Sequence, residues 1–185
     1  MSRSLVTLRD ATVSDVPLLA ELWQPFLRRS SDEHLHDLAT TIEQLGDRPG
    51  ERLVVAEYDG EFAGAVYLRA ATYSPVNPEP VLQAHNAMVA PAYRHRGVGK
   101  ALMECAVTWA EELGIGHVGT ATSSGSREAN RFMARLALGP QAVLRMAPTP
   151  AVRSKLAGRY PGARQVTQVL AVRRSLRHAR SFSGS

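Results

Sequence analysis

The strongest constraint on the fold is the stretch 83–113, where an apolar strand-like run meets a proline, turns through two glycines and opens into a long amphipathic helix. Residues 83–90 form the run, Pro91 ends it, and the turn that follows carries Arg94, Arg96, Gly97, Gly99 and Lys100. A helix entered in this way leaves its first N–H groups without intrahelical acceptors, all pointing in one direction. The turn is therefore an anion cradle. Gly97 and Gly99 let the main chain approach the guest closely, while Arg94, Arg96 and Lys100 add positive charge to the helix dipole. A phosphate or pyrophosphate is the expected guest.

Two other phosphate-binding turns are excluded by their own requirements. The dinucleotide fingerprint needs three glycines at the start of a βαβ unit and an acidic residue after the next strand, whereas Gly97 and Gly99 are only two and lie about halfway along the chain. The P-loop needs Gly-Lys followed by Ser or Thr, and Gly99-Lys100 is followed by Ala101. What remains is a strand ending Met88-Val89-Ala90-Pro91 and the pattern Arg94-x-x-Gly97-x-Gly99.

With 185 residues, 44% of them apolar, the chain can bury one core, and the length favours one domain. Its lone cysteine, Cys105, excludes an internal disulfide framework or a CxxC metal knuckle, and falls on an apolar helix stripe where a small core residue is expected rather than a nucleophile. No metal site is expected. The first ten residues hold no apolar leader and no run approaches bilayer-spanning length, so the cytoplasm is the expected compartment. The net charge of +5 is unevenly spread: residues 1–128 hold 11 of the 22 Lys/Arg and all 17 acids, while 129–185 hold the other 11 Lys/Arg and no acid. A block of one sign steers anionic ligands or complements the acidic part of its own fold. Residues 175–185 are expected to form a basic, solvated tail. A nucleic-acid role is disfavoured because no aromatic interleaving accompanies the charge.

In chain order, residues 5–9 read as a first strand. Ser14 is positioned to cap a helix with Pro17 in its first turn, and Leu18, Leu19, Leu22, Trp23 and Phe26 make its buried face. A second helix starts at 30–32 and runs to about Leu45, with Leu35, Leu38, Ile42 and Leu45 on the apolar side. Residues 52–58, Asp59-Gly60 and 61–69 are a hairpin, since an Asp-Gly pair accepts the positive φ angles of a tight turn. Residues 70–80, with Pro75, Pro78 and Pro80, read as a stiff loop before the strand at 83. On that strand Gln83, His85, Ala87 and Val89 are expected to share one face by alternation. The following helix carries Val98, Ala101, Leu102, Cys105, Ala106, Trp109 and Leu113 on one stripe. A fifth strand at 117–121, a helix capped within 123–126, and two last strands at 141–146 and 165–172 complete the reading, with a loop and short helix over 148–162.

The order β-α-α-β-β-β-α-β-α-β-β, together with the Arg94-x-x-Gly97-x-Gly99 signature, resembles the Gcn5-related N-acetyltransferase (GNAT) superfamily over nearly the whole chain, about residues 4–173. The resemblance implies an α+β fold in three layers, α/β/α. Its mixed central sheet would have about seven strands and splay between strands 4 and 5, all within one domain over 1–174. It implies acetyl-CoA as the cofactor and a primary amine, on a small molecule or a protein, as acceptor. The pyrophosphate would rest on the main chain of Arg94, His95, Arg96, Gly97, Val98, Gly99, Lys100 and Ala101. Met88 and Val89 would hold the pantetheine arm and the thioester carbonyl, and Ser126 and Asn130 fall where the family often contacts that arm.

Direct transfer to an amine needs a base near neutrality and a donor for the developing oxyanion. Some members carry a glutamate or histidines at the positions matching Gln83 and His85. His85 is therefore the first candidate base, because histidine titrates in the useful range, and Glu79 is the second. Asp32, Glu33, His34 and His36, on a helix that borders the acceptor site in this fold, could meet a cationic substrate or form a solvated helix face. Where many members have a tyrosine that protonates the leaving thiolate, this chain has Met133, so water, Tyr73 or unassisted departure must replace it. The same feature fits a non-catalytic acyl-CoA-binding regulatory module. Exposed strand edges near the C-terminus leave room for a homodimer.

Overall fold

The computed structural model describes residues 5–27, 31–121 and 125–159. Five strands form one sheet in the order β1 to β5: β1 Val6–Asp10, β2 Glu51–Tyr58, β3 Glu61–Ser74, β4 Asn77–Val89 and β5 Val118–Thr120. The first four are antiparallel neighbours, and β5 joins β4 in parallel. Helices α1 Val16–Trp23, α2 Ser31–Gln44 and α3 Val98–Glu112 lie between them in sequence, and α4 Arg127–Arg135 follows β5. The chain clusters into two compact units, with the boundary after Gly139. In the second, α5 Thr149–Arg159 is the described helix. No described helix is long and apolar enough to cross a membrane.

The two faces of the sheet bury different helices. Val98, Leu102, Met103, Ala106, Trp109 and Ala110 of α3 pack on Val54, Ala56, Val66, Leu68, Leu82 and Ala84. On the opposite face Val16, Leu19, Leu22 and Trp23 of α1, with Leu38 and Ile42 of α2, cover Leu53, Val55 and Ala65. Each such aliphatic side chain contributes about 1.5–3 kcal/mol of burial, which makes the alternating patterns of β2 and β3 strongly register-specific. The α3 stripe is narrower than expected. Ala101 and Cys105 are only half-buried at its edge and Leu113 is 44% exposed.

The Asp59-Gly60 hairpin forms as its sequence predicts, both residues taking positive φ (55° and 85°). The expected stiff loop at 70–80 does not form. Instead β3 and β4 continue to a tight end where Ser74 pairs with Asn77. The prolines are tolerated because β5 reaches β4 only at Leu82–Ala84. Leu82 donates its N–H outwards to the His117 carbonyl (2.9 Å), so the missing N–H of Pro80, two residues earlier, falls on the side away from β3.

Three further expectations are corrected. The first helix is preceded by a 3₁₀ turn, Val13–Asp15, so the cap is made by Thr12 and Asp15 rather than Ser14. The Asp15 carboxylate accepts from the Thr12 N–H (2.8 Å) and takes a bidentate pair from Arg9 (2.7 Å each), whose Nε also reaches Glu57 (2.6 Å). This extra turn rotates α1, so Val16 is buried while Leu18 and Phe26 are exposed. Residues 141–146 form no strand, and Val143, Leu144 and Met146 stand in solvent because no described strand pairs with them. The sheet has five strands among the described residues, not about seven; the remaining expected strand, 165–172, and the basic tail lie outside those residues.

Candidate functional site

The turn after β4 has the geometry of an anion cradle. A 3₁₀ turn, Pro91–Tyr93, follows the strand, His95 takes φ 60°, and Gly97 takes φ 87° as the residue before α3. A left-handed conformation at that position suits a residue without Cβ. The first α3 bond runs from the Ala101 N–H to the Gly97 carbonyl (3.0 Å). The N–H groups of Val98, Gly99 and Lys100 therefore precede the helical ladder and face outwards. A Cβ at Gly97 would meet no other atom within 4 Å, so the space beside this main chain is open.

The cationic side chains are arranged around this opening. Arg94 and His95 approach the Glu128 carboxylate in the first turn of α4 (3.8 and 3.3 Å), and Lys100 pairs with Glu104 (3.1 Å). The Arg96 guanidinium lies over the rings of Tyr58 (5.2 Å) and Tyr93 (5.9 Å). The centre of the turn is thus left to main-chain donors. Gly99 brings α3 into contact with Val89 and Phe132, each 3.5 Å from where its Cβ would be.

Above the turn, β4 loses its second neighbour among the described residues. Parallel pairing ends at Ala84 with Thr120, whose hydroxyl donates to the Ala84 carbonyl (2.8 Å), while β4 runs on to Val89. That is the expected splay. Ala90 donates its N–H to the Ala63 carbonyl (2.8 Å), so by alternation the Val89 N–H points the other way, into the gap, and that of Met88 turns towards β3. Gly64 makes this end of β4 possible: a Cβ there would lie 2.5 Å from the Met88 carbonyl oxygen. Sequence reading missed Gly64, since its need appears only once β3 and β4 are paired in register.

The expected face of β4 is corrected by a bulge. Asn86 has φ 50°, and the register shifts so that Tyr67 opposes His85 while Ala65 opposes Met88. One extra residue reverses the phase of alternation. Gln83 and His85 therefore share a face with Met88, on the α1/α2 side, whereas Ala87 and Val89 turn to the α3 side. The Trp23 indole N–H donates to the Asn86 carbonyl (2.8 Å), pinning the bulge to the end of α1.

Direct cross-strand partners present their side chains on one face. Leu53, Tyr67 and His85 form one row, and Glu51, Arg69, Gln83 and Gly119 the next. His85 is half-buried against the Tyr67 ring (6.4 Å between centroids), and its Nε2 is 3.1 Å from the Gln83 Oε1. With that amide oxygen as acceptor, Nε2 carries the proton and Nδ1 the lone pair. Burial, helped by the nearby Arg69 charge, holds His85 below its ordinary pKa, so it is neutral at physiological pH. Tyr67 donates its hydroxyl to Glu51, and burial followed by that bond pushes its pKa up. Glu51 is held below the usual carboxylate range, first by Tyr67, with Arg48 and Arg69 adding to it.

The other expected site residues are dispersed. Glu79 lies six residues before His85 on β4, about 20 Å at strand spacing, and is paired with His117 (3.2 Å). Ser126 caps α4 through its hydroxyl, which accepts from the Ala129 N–H (3.3 Å), and the Asn130 amide donates back to the Ser126 carbonyl (2.7 Å). Met133 is buried and Tyr73 is exposed near the β3–β4 hairpin end. On α2, Glu33 and His36 are exposed. Cys105 lines a groove of about 400 Å³ with Leu8, Arg52 and Trp109, on the opposite sheet face from His85, and burial pushes its thiol up.

The fold is shared with known structures. The chain matches AAC(6')-Iy, an aminoglycoside N-acetyltransferase crystallised with CoA, at TM-score 0.65 and 20% identity, covering 80% of this chain and 98% of that one. A transcriptional regulator from Bacillus halodurans C-125 matches at TM-score 0.65 and 19% identity (77% and 99% covered). Glucosamine-6-phosphate N-acetyltransferase from Arabidopsis thaliana matches at 0.60 and 18% (78% and 98% covered). No curated protein sequence matches the chain. The sequence model of the Acetyltransferase (GNAT) family matches residues 16–138, about two thirds of the chain. With that match added to the splayed sheet and the glycine turn, this protein belongs to the GNAT acetyltransferase family.

Proposed function

We propose that this protein transfers the acetyl group of acetyl-CoA to an amine, with His85 as the general base. The observation that carries the reading is the Asn86 bulge. It places a neutral, half-buried histidine on the same sheet face as Met88, on the strand that leads directly into the anion cradle. The cradle fits the coenzyme's diphosphate because its central donors are main-chain N–H groups at a helix start and its space is open at Gly97. Bound there, acetyl-CoA supplies the acetyl thioester as acyl donor.

The chain's own groups then have defined tasks. The N–H groups of Val98, Gly99 and Lys100 hold the diphosphate, with Arg94, Arg96 and Lys100 adding charge. The Val89 N–H, facing the gap beside β4, is a donor for a carbonyl of the arm or the thioester. His85 Nδ1 takes a proton from the amine as its nitrogen bonds to the acetyl carbon and the carbon–sulfur bond breaks. Gln83 fixes the imidazole tautomer through Nε2. The leaving sulfur needs one proton, which solvent or the protonated His85 supplies, since the Met133 thioether cannot donate.

Thiol release from acetyl-CoA in the presence of an amine panel tests this reading. His85→Ala should lower the transfer rate at least 100-fold while coenzyme affinity stays within about twofold; an unchanged rate removes His85 from the mechanism. The buried Met133, where many relatives hold a tyrosine acid, favours a second reading in which the protein binds acyl-CoA without turning it over. Tight coenzyme binding with no thiol release from any amine would select it.

A further inference from the structure

We propose that the row Glu51–Arg69–Gln83 forms an anion subsite, and that the acceptor is an amine bearing a carboxylate or phosphate close to its nitrogen. This deepens the transferase reading and rests on it. The row is built from three strands: Glu51 pairs across β2–β3 with Arg69, and Arg69 across β3–β4 with Gln83. Next to it along the same face is the row holding His85, about 7 Å away at two residues of strand rise. An amine at His85 therefore has its substituents over Arg69.

Charge in this row is unbalanced towards the positive. Glu51 is the one acid, and its carboxylate is already engaged: Arg69 Nε lies 3.3 Å from Oε1, Arg48 Nη1 lies 3.2 Å from Oε2, and the Tyr67 hydroxyl also donates to Oε2. Arg48 directs its remaining terminal nitrogen to the Gln44 side chain. Arg69 uses only Nε in the described contacts, and its side chain is 56% exposed, so its two terminal nitrogens are presented to the surface beside His85. Two guanidinium groups against one carboxylate leave one positive charge. Glu51 thus positions a fork whose outer edge matches a carboxylate or phosphate.

Glu43 and Asp47, next to Gln44 and Arg48 in sequence, are exposed and make no contact with the row among the described residues. Glu79, farther along β4, is paired with His117. The acids in the first half of α2 lie at the opposite end of that helix from Gln44; Glu33 is 11 residues away, about 16 Å along the axis. At the far end of the row, Gly119 contributes no side chain, and the place of its Cβ lies 3.5 Å from the Val81 side chain. A polycationic acceptor would meet Arg69 with like charge next to the base. An amine with an anion two to four bonds from its nitrogen would meet both groups at once.

The test compares matched amines in acetyl-CoA-dependent thiol release: β-alanine against β-alaninamide, O-phosphoethanolamine against ethanolamine, and spermidine as polycation. The wild-type protein should favour one of the anionic members at least tenfold in kcat/KM, and whichever pair shows the larger ratio identifies carboxylate or phosphate as the group read. Arg69→Gln should remove that ratio mainly through KM, about tenfold for a charge-assisted contact, and Arg69→Lys should restore part of it. Arg69→Gln should also move the acid limb of the rate to higher pH, because a positive charge next to His85 is lost. Preference for spermidine, no discrimination within either pair, or an unchanged ratio in Arg69→Gln would overturn the subsite. A second readout is independent of turnover: with coenzyme A saturating, inorganic phosphate or N-acetyl-β-alanine should bind the wild type and not Arg69→Gln. If no amine releases thiol, the transferase reading fails, and this differential binding still decides whether the subsite exists.

Discussion

The polar rows around His85 lie on β4 and the cradle follows directly where that strand ends, yet the two are made in opposite ways. The cradle is contiguous, spanning residues 90–101, and its central donors are main-chain N–H groups positioned by the φ of Gly97. The rows are assembled from Glu51, Tyr67, Arg69, Gln83 and His85 on three strands, and the polar contacts that join their functional groups run between side chains. A main-chain site fails when backbone conformation or space is altered and is indifferent to most neighbouring side chains. A side-chain site fails one residue at a time and changes its chemistry as it does so. The first suits a ligand that stays the same and the second a ligand that varies, which agrees with the differing acceptors named for structures of this fold.

The sharpest way to break the contrast is Gly97→Glu, which adds a strained L residue at φ 87° and a negative charge in the cradle. Coenzyme affinity should fall about 1000-fold by calorimetry, an effect of about 4 kcal/mol, with the fold retained by circular dichroism; unaltered affinity would mean the diphosphate rests elsewhere. Next in size, His85→Gln should reduce transfer about 100-fold without changing coenzyme affinity, separating the rows from the cradle functionally. In the wild type, the pH profile should be flat at neutrality. Because the folded protein holds His85 below its ordinary pKa, the base is lost, and the rate with it, only as pH falls below the usual histidine range. A His85 ring that is half protonated at the usual histidine pKa in an NMR titration would show that it titrates normally, and a rate that does not fall with its protonation would show that it is not the base.

Gly64→Ala probes the joint between the two regions. The added methyl would lie 2.5 Å from the Met88 carbonyl oxygen, so β3 and β4 must shift, costing about 2 kcal/mol in chemical denaturation. Coenzyme affinity and transfer should fall together, as both depend on the same strand end. The smallest effect is expected at a site remote from both. Asp15→Asn keeps one acceptor oxygen but removes the charge and the second Arg9 bond, and should lower stability by about 1.5 kcal/mol, leaving kinetics unchanged. Arg9 holds the Asp15 carboxyl below its usual pKa. Its contribution is thus full above the ordinary carboxylate pKa and is lost as pH falls towards the depressed one, so wild type and variant should converge in stability in that acidic window.

The same contrast explains which parts of the fold were legible in sequence. The cradle was readable because its determinants, Pro91, Gly97, Gly99 and the flanking arginines, are adjacent and act through local backbone geometry. The Asp59-Gly60 hairpin and the buried stripe of α3 were readable for the same reason. The rows were not. Their register depends on β3 and β4 pairing through a proline-rich segment that local chemistry marks as a loop, and on which side of β4 the Pro80 nitrogen faces. His85 was singled out by the family resemblance and its titration range, but Tyr67, Arg69 and Glu51 were not, because only cross-strand pairing brings them to it. Asn86 carries no local signal either. Asparagine tolerates positive φ, but nothing beside it in sequence announces a bulge in place of a continuous strand.

That bulge divides β4 into two stretches that answer to different halves of the molecule. Under the proposed reading, substitutions before Asn86 should retune which acceptor is taken, and those after it should act on how the acetyl donor is gripped. Excising this one residue would turn the downstream stretch inside out, sending Met88 into the α3 core and Val89 towards α1 and α2. One asparagine, tethered by a tryptophan from α1, thus sets which side chains of a continuous strand look to each face of the sheet.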